Sequence, residues 1–269
     1  MDKIKVLVVF GTRPEAVKMA PVVKALKKDK DTFESKICVT AQHRDMLDQV
    51  LRIFDIEPDY DLDIFERGQT LTQITCRALT GLEEVIEDFK PGLILVQGDT
   101  TTVFSGALAA FYHQVKIGHV EAGLRSGNLY SPYPEEANRM MTGVLTDFHF
   151  APTETSRDNL LKEGYDENKI FITGNTSIDA LSWVIDENYK FEEEIINNID
   201  FKNKKVILLT AHRRENIGKP MENIFSALKD IAEKNKDVEI IYPMHLNPKV
   251  REIADKIFKG MESVHLIEP

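Results

Sequence analysis

The stretch Lys116–Arg139, KIGHVEAGLRSGNLYSPYPEEANR, concentrates groups that could move protons: Glu121, Glu135 and Glu136, with His119, Arg125 and Arg139 among them. Carboxylates act as general acids and bases, and arginines stabilise developing negative charge. Glycines and prolines interrupt the stretch, so much of it is loop, where functional groups are displayed. Upstream, VQGDTTT sets Asp99 behind an apolar run, and FGTRPEAVK offers Arg13 and Lys18 behind another. TAHRREN supplies His212, Arg213, Arg214 and Glu215, and three potentially cationic groups there suit a diphosphate. AQHRD adds His43 and Arg44.

Each of these loops also has a purely structural reading. Asp99 or a neighbouring threonine can cap a helix. Glu121, directly after a buried-type strand, needs a partner or a raised pKa, and an ion pair with Arg125 or Arg139 would supply the partner. Glu135 and Arg139 are four apart and share a helical face. The basic loops can be solvated charge, and His245 in YPMHLNP reads as structural. The single glycine of GTRPE does not make a dinucleotide fingerprint. Histidines, carboxylates and cysteines lack zinc spacing, so no metal is expected.

The elements that must carry these loops alternate. Ile4–Phe10 is a continuous β-branched run of the type buried on both faces of a parallel sheet. Strand patterns recur at Phe33–Val39, Leu93–Val96, Lys116–Val120 and Phe148–Ala151. Helical spacing fills Ala16–Lys28, Asp45–Phe54, Gln69 to about Phe89, Thr101–His113, a segment from Pro134, and Ser156–Glu163. This is an α/β chain with an open parallel sheet and helices on both faces. The pattern restarts near IFITGN, with strands expected at Lys205–Thr210, Val238–Tyr242 and Val264–Ile267, and helices at Ile178–Asn198, Met221–Lys234 and Pro248–Phe258. We therefore expect domains at 1–170 and 171–269, the latter incomplete, as if the whole polypeptide were longer. In such sheets ligands bind beyond the carboxyl ends of the strands, and the five charged loops all fall there.

Length and composition fit this frame. The chain has 269 residues, 42% apolar and 29% charged, long enough for one large or two modest domains. A net charge of −10 argues against a general nucleic-acid binder. No apolar run is long enough for a signal peptide or membrane span, so a cytoplasmic setting is expected. Cys38 and Cys76 sit in apolar patterns and read as buried reduced thiols.

Taken together, FGTRPEAVKMAP, TAQHRDMLDQVL, VQGDTTTVFSGALAAFY, GHVEAGLRSGNLYSPYPEEANR, TGNTSIDAL and TAHRRENIG resemble the non-hydrolysing UDP-N-acetylglucosamine 2-epimerase family. The resemblance implies two Rossmann-like domains of the GT-B type with the active site in the cleft between them. It implies a homodimer that interconverts UDP-GlcNAc and UDP-ManNAc without metal or nicotinamide, through 2-acetamidoglucal, for surface polysaccharide. By resemblance, Asp99, Glu121 and Glu135 are the acid/base and sugar-orienting carboxylates, with Arg139 holding Glu135 or the substrate. Arg13, Lys18, His212 and Arg213 would engage the nucleotide. Gln42, His43, Gln69 and Glu136 would bind a second UDP-GlcNAc as activator. The family continues past residue 269 with a glycine-rich loop that grips uridine, and without it weak turnover is expected. The rival outcomes are a hydrolysing 2-epimerase that releases UDP and ManNAc, a GT-B glycosyltransferase, and a nucleotide-sugar-binding fragment without turnover.

Overall fold

The computed structural model describes residues 3–41, 44–213 and 216–268, apart from the side chains of Arg44 and Asp45. The chain forms two compact units, 1–185 and 186–269.

The first unit is built on a seven-stranded, wholly parallel sheet. Its strands are β1 (Ile4–Phe10), β2 (Phe33–Val39), β3 (Tyr60–Asp61), β4 (Leu93–Gln97), β5 (Lys116–Val120), β6 (Phe148–Ala151) and β7 (Ile170–Ile172). Their order is β3-β2-β1-β4-β5-β6-β7. The helices are α1 (Arg13–Lys28), α2 (Arg44–Ile53), α3 (Leu71–Phe89), α4 (Thr101–Tyr112), α5 (Glu135–Leu145), α6 (Glu154–Lys162) and α7 (Thr176–Val184). Side chains alternate across the sheet, so β1 feeds two cores. Val6, Val8 and Phe10 pack with Met19, Ala20 and Val23 of α1 and Leu47 of α2. Leu7 and Val9 pack with Leu82 and Ile86 of α3 and Val103 and Ala107 of α4. The strand order reverses between β1 and β4, the kind of position beside which ligands bind in open α/β sheets.

The second unit holds a parallel sheet of order β10-β9-β8 among its described residues. Its strands are β8 (Lys205–Leu208), β9 (Val238–Pro243) and β10 (Val264–Ile267). After the short α8 (Glu194–Asn197), α9 (Lys219–Lys234) and α10 (Pro248–Phe258) cover the sheet with Met221, Phe225, Val250 and Phe258.

Three sequence expectations change here. The border lies after Ile185 rather than after residue 170, because β7 pairs with β6 and α7 packs on α1. The helix expected over Ile178–Asn198 stops at Val184. Asp186 turns the chain there, its carboxylate accepting from the Asn188 N–H at 2.9 Å and its carbonyl from the Tyr189 N–H at 3.1 Å. Cys38 is buried as expected, and burial pushes its thiol up to about 12, but Cys76 is exposed on the outer side of α3. Among the described residues no helix is long and apolar enough to cross a membrane.

Candidate active site

GTRPE and QGDTT meet at the point where the strand order reverses. Gly11 leaves β1 against a pair of hydroxyls, Thr40 and Thr102, that lie 2.9 Å apart. A Cβ at Gly11 would come within 2.0 Å of Thr40 Oγ1, so only glycine fits. Thr12 is the N-cap residue of α1, and the Glu15 carboxylate reaches back to accept from its N–H at 2.7 Å. Glu15 is 2% exposed, and its carboxylate accepts from the Gly11 and Thr12 N–H groups and from the Thr100 hydroxyl. Burial raises its pKa despite these bonds. Glu15 therefore joins the two loops. Reasoning from charged motifs misses it, although T-x-x-E is a legible capping signal.

Asp99 is not a cap. That role belongs to Thr100, whose hydroxyl accepts from the Val103 N–H. The Asp99 carboxylate instead meets Arg139 at 2.5 Å. Arg139 also donates to Glu136 at 3.0 Å, so the expected pair with Glu135 does not form. Helix geometry explains the difference, since the i,i+3 partner lies as near as the i,i+4 partner and here faces inward. Glu136, offered above to an activator, is 1% exposed and also accepts from the Ser126 and Gly127 N–H groups. Burial alone would raise its pKa, but the bonds from Gly127, Arg139 and Ser126 outweigh it and hold the carboxyl below its ordinary range. The same partners, Glu136 and Asp99, outweigh burial at Arg139 and raise its pKa. Glu135 is half-buried in the first turn of α5 and, among the described residues, has no hydrogen bond or ion pair.

Glu121 follows β5 with φ +66°, a left-handed conformation that non-glycine residues rarely adopt. Its partner is neither Arg125 nor Arg139. Arg125 pairs with Glu163 at 2.6 Å, and Arg139 is used as above. Lys18 donates to both Glu121 oxygens at 2.6 Å, Gln97 to one at 2.6 Å and Asn175 to the other at 3.2 Å. The sequence does not single out Gln97 or Asn175, because an uncharged amide gives no signal of its own, even beside Asp99 in VQGDTTT. Gly98 abuts this carboxylate, since a Cβ there would lie 3.7 Å from Glu121 Oε2. The structure thus brings the loops of Lys18, Glu121, Asp99 and Arg139 to one edge of the sheet. Arg13 is exposed at the start of α1.

The other expected residues fall elsewhere. Gln69 accepts from Arg77 at 3.2 Å at the entry to α3. Gln42, His43, Arg214 and Glu215 lie outside the described residues. In the second unit His212 and Arg213 are exposed beyond β8, and His212 stacks on His245 with ring centroids 5.3 Å apart. Among the described residues, one group has metal-ligand spacing: Glu83, Glu87 and His113. It lies at the surface where α4 ends, and helices run back against the strands here, so it occupies the edge of the sheet opposite the carboxylates.

The family model for UDP-N-acetylglucosamine 2-epimerase matches residues 24–269. The chain is 58% identical to the UDP-N-acetylglucosamine 2-epimerase of Yersinia pestis, over 99% of this chain and 72% of that protein. A Listeria monocytogenes protein assigned as a UDP-N-acetylglucosamine 2-epimerase, solved by crystallography, is 55% identical, with a TM-score of 0.92 over 100% of this chain and 69% of the other. The Neisseria meningitidis UDP-GlcNAc 2-epimerase, solved with UDP-GlcNAc bound, is 48% identical, with a TM-score of 0.81 over 99% and 72%. These neighbours place the two parallel units in the GT-B class.

Proposed function

The chain belongs to the UDP-N-acetylglucosamine 2-epimerase family, and we propose that it interconverts UDP-GlcNAc and UDP-ManNAc by eliminating UDP and adding it back. The observation that carries this reading is the pair of pre-ordered carboxylates at the topological switch point. Glu121 is strained and held by Lys18, Gln97 and Asn175, and Asp99 is held by Arg139.

The chemistry asks for such an arrangement. The C2 proton of a GlcNAc unit has no neighbouring carbonyl to stabilise a carbanion. Removing that proton while the C1–O bond breaks avoids the carbanion, because the C–H electron pair becomes the C1=C2 bond and UDP leaves with the C–O pair. The intermediate is 2-acetamidoglucal. Returning the proton to the opposite face as UDP re-adds at C1 inverts C2. Two faces require acid/base groups on two sides, and Asp99, Glu121 and Glu135 are the carboxylates available. Glu135 has no hydrogen bond or ion pair among the described residues, which suits its oxygens to substrate. Cations must meet the departing diphosphate, a role that falls to Arg13 in the first unit and to His212 and Arg213 in the second. Lys18 already binds Glu121, so its proposed part is to orient that carboxylate as much as to meet phosphate.

The proposal extends to partners. Phe111 and Tyr112 at the end of α4 and Met140, Met141 and Val144 on the adjoining α5 are exposed, a surface suited to a second copy of the chain. A second UDP-GlcNAc as activator would draw on Gln42, His43 and Gln69. Glu136 is less suited, since its oxygens serve loop and arginine. The product would supply ManNAc units for surface polysaccharide.

The test is proton NMR of UDP-GlcNAc incubated with the chain in D2O. UDP-ManNAc carrying deuterium at C2 is the expected product. UDP with free ManNAc would replace this reading with the hydrolysing one, and an unchanged substrate would overturn both.

A further inference from the structure

His119 lies in the middle of the sheet, opposite Val96 of β4 and His149 of β6, and is 1% exposed. An apolar residue would fill this place without the desolvation that an imidazole suffers. The ring's recorded bond runs sideways out of its own strand: Nε2 lies 2.7 Å from the Gly98 carbonyl oxygen. A carbonyl only accepts, so Nε2 carries the proton. Burial lowers the pKa of His119 to about 4, which keeps the imidazole neutral near pH 7, and the bond to the Gly98 carbonyl sets its tautomer.

The bond acts on the loop that bears Asp99. Gly98 has φ +82°, its N–H donates to the Val120 carbonyl at 3.0 Å, and its own carbonyl receives His119. The next carbonyl, that of Asp99, receives the Asn138 side-chain N–H at 2.9 Å. The next residue, Thr100, donates its hydroxyl to Glu15 at 2.8 Å. Three consecutive residues are thus held by buried polar side chains from β5, α5 and α1. An ordinary strand-to-helix turn needs only the Thr100 cap.

We propose that His119 is a positioning residue for the reaction, fixing the Gly98–Asp99 peptide and through it the direction of the Asp99 carboxylate, with Asn138 as the second support. The proposal rests on the reading above that Asp99 takes part in epimerisation. A misplacement of a reacting group by about 1 Å costs on the order of 100-fold in rate, so loss of the support should appear in turnover before it appears in binding.

The experiment measures UDP-GlcNAc turnover and KM for wild type, Asp99→Asn, His119→Met, His119→Gln and Asn138→Leu in the full chain, with thermal unfolding alongside. Gln reaches with a neutral amide donor to about where Nε2 stood, and Met fills the space without one. His119→Met is expected to lose about 100-fold in kcat with KM moved less than about threefold, and His119→Gln to stay within about tenfold of wild type. Asn138→Leu, which decides the matter if His119→Met does not fold, is expected to lose at least about tenfold in kcat by the same displacement. Full kcat in a folded His119→Met, or in Asn138→Leu, overturns the proposal, as does an equal loss in His119→Met and His119→Gln. If Asp99→Asn is inactive while His119→Met is not, only the positioning role falls. If Asp99→Asn turns over like wild type, the reading of Asp99 falls and the proposal falls with it.

Discussion

The polar strand ends of the two units differ in burial. In the first unit, Asp99, Glu121 and Glu136 are each tied to a cation, and their loops are stitched by Glu15, His119 and Asn138, all 5% exposed or less. In the second, His212 and Arg213 stand exposed beyond β8, with a stacked histidine as the visible support for His212. Fixed dipoles and charges lower a barrier only if they need not reorganise when the charge develops. Exposed cations on a loop suit an anionic ligand that arrives and leaves. On the proposed function, the first unit would supply proton transfer from buried, bonded groups and the second would supply exposed charge.

The most damaging change to the rigid region is Glu136→Ala. It leaves Arg139 without one of its two carboxylates and two loop N–H groups unpaired, and a broken buried pair costs about 3–5 kcal/mol. Urea unfolding should show a loss in that range, and a change below about 1 kcal/mol would mean the clamp carries no load.

Acid should weaken the same region. Burial lowers the pKa of both His119 and His149 to about 4. In the unfolded chain each titrates near 6.5, so below that pH the unfolded state binds more protons than the native state. The native state is therefore at its full advantage above about pH 6.5 and loses it between there and about pH 4. An upper figure is about 3 kcal/mol for each histidine. Unfolding measured at pH 7 and pH 5 should show the decline, and the decline should be smaller in His149→Leu.

Glu135 sharpens the comparison from within one helical turn. Its neighbour Glu136 accepts from two loop N–H groups and from Arg139, yet Glu135 has no bond among the described residues, so Glu135→Gln should move stability by less than about 0.5 kcal/mol. Turnover should nevertheless fall about 100-fold as an acid/base group is lost, read by steady-state kinetics. In the second unit, Arg213→Ala should weaken UDP binding by about tenfold, consistent with loss of one charge-assisted contact worth about 1.5 kcal/mol, with stability changed by less than about 1 kcal/mol. Calorimetric titration with UDP measures it.

The fold was largely legible because parallel strands buried on both faces leave long β-branched runs such as Ile4–Phe10. Short elements were not: Tyr60–Asp61 is too brief to carry a period. The end of α7 depended on a side-chain turn at Asp186 that competes locally with helix and leaves the apolar pattern intact. At the candidate site, charged motifs point to Asp99, Glu121, Glu135 and Arg139, but they do not give the pairing. Spacing along one helix suggested Glu135 with Arg139, whereas the partner Asp99 is brought from another loop by the sheet. Uncharged supports such as Gln97, Asn138 and Asn175 leave no sequence signal, because their importance lies in what they face once folded.

The measurement that tests elimination most directly uses UDP-GlcNAc labelled with oxygen-18 in the bridge between C1 and phosphorus, followed by phosphorus NMR. If UDP leaves C1 and returns, the label must scramble into the non-bridging oxygens of the β-phosphate at a rate comparable to epimerisation. Epimerisation with the label held in the bridge would contradict the account, because a departed UDP whose β-phosphate turns before re-addition cannot keep the label there.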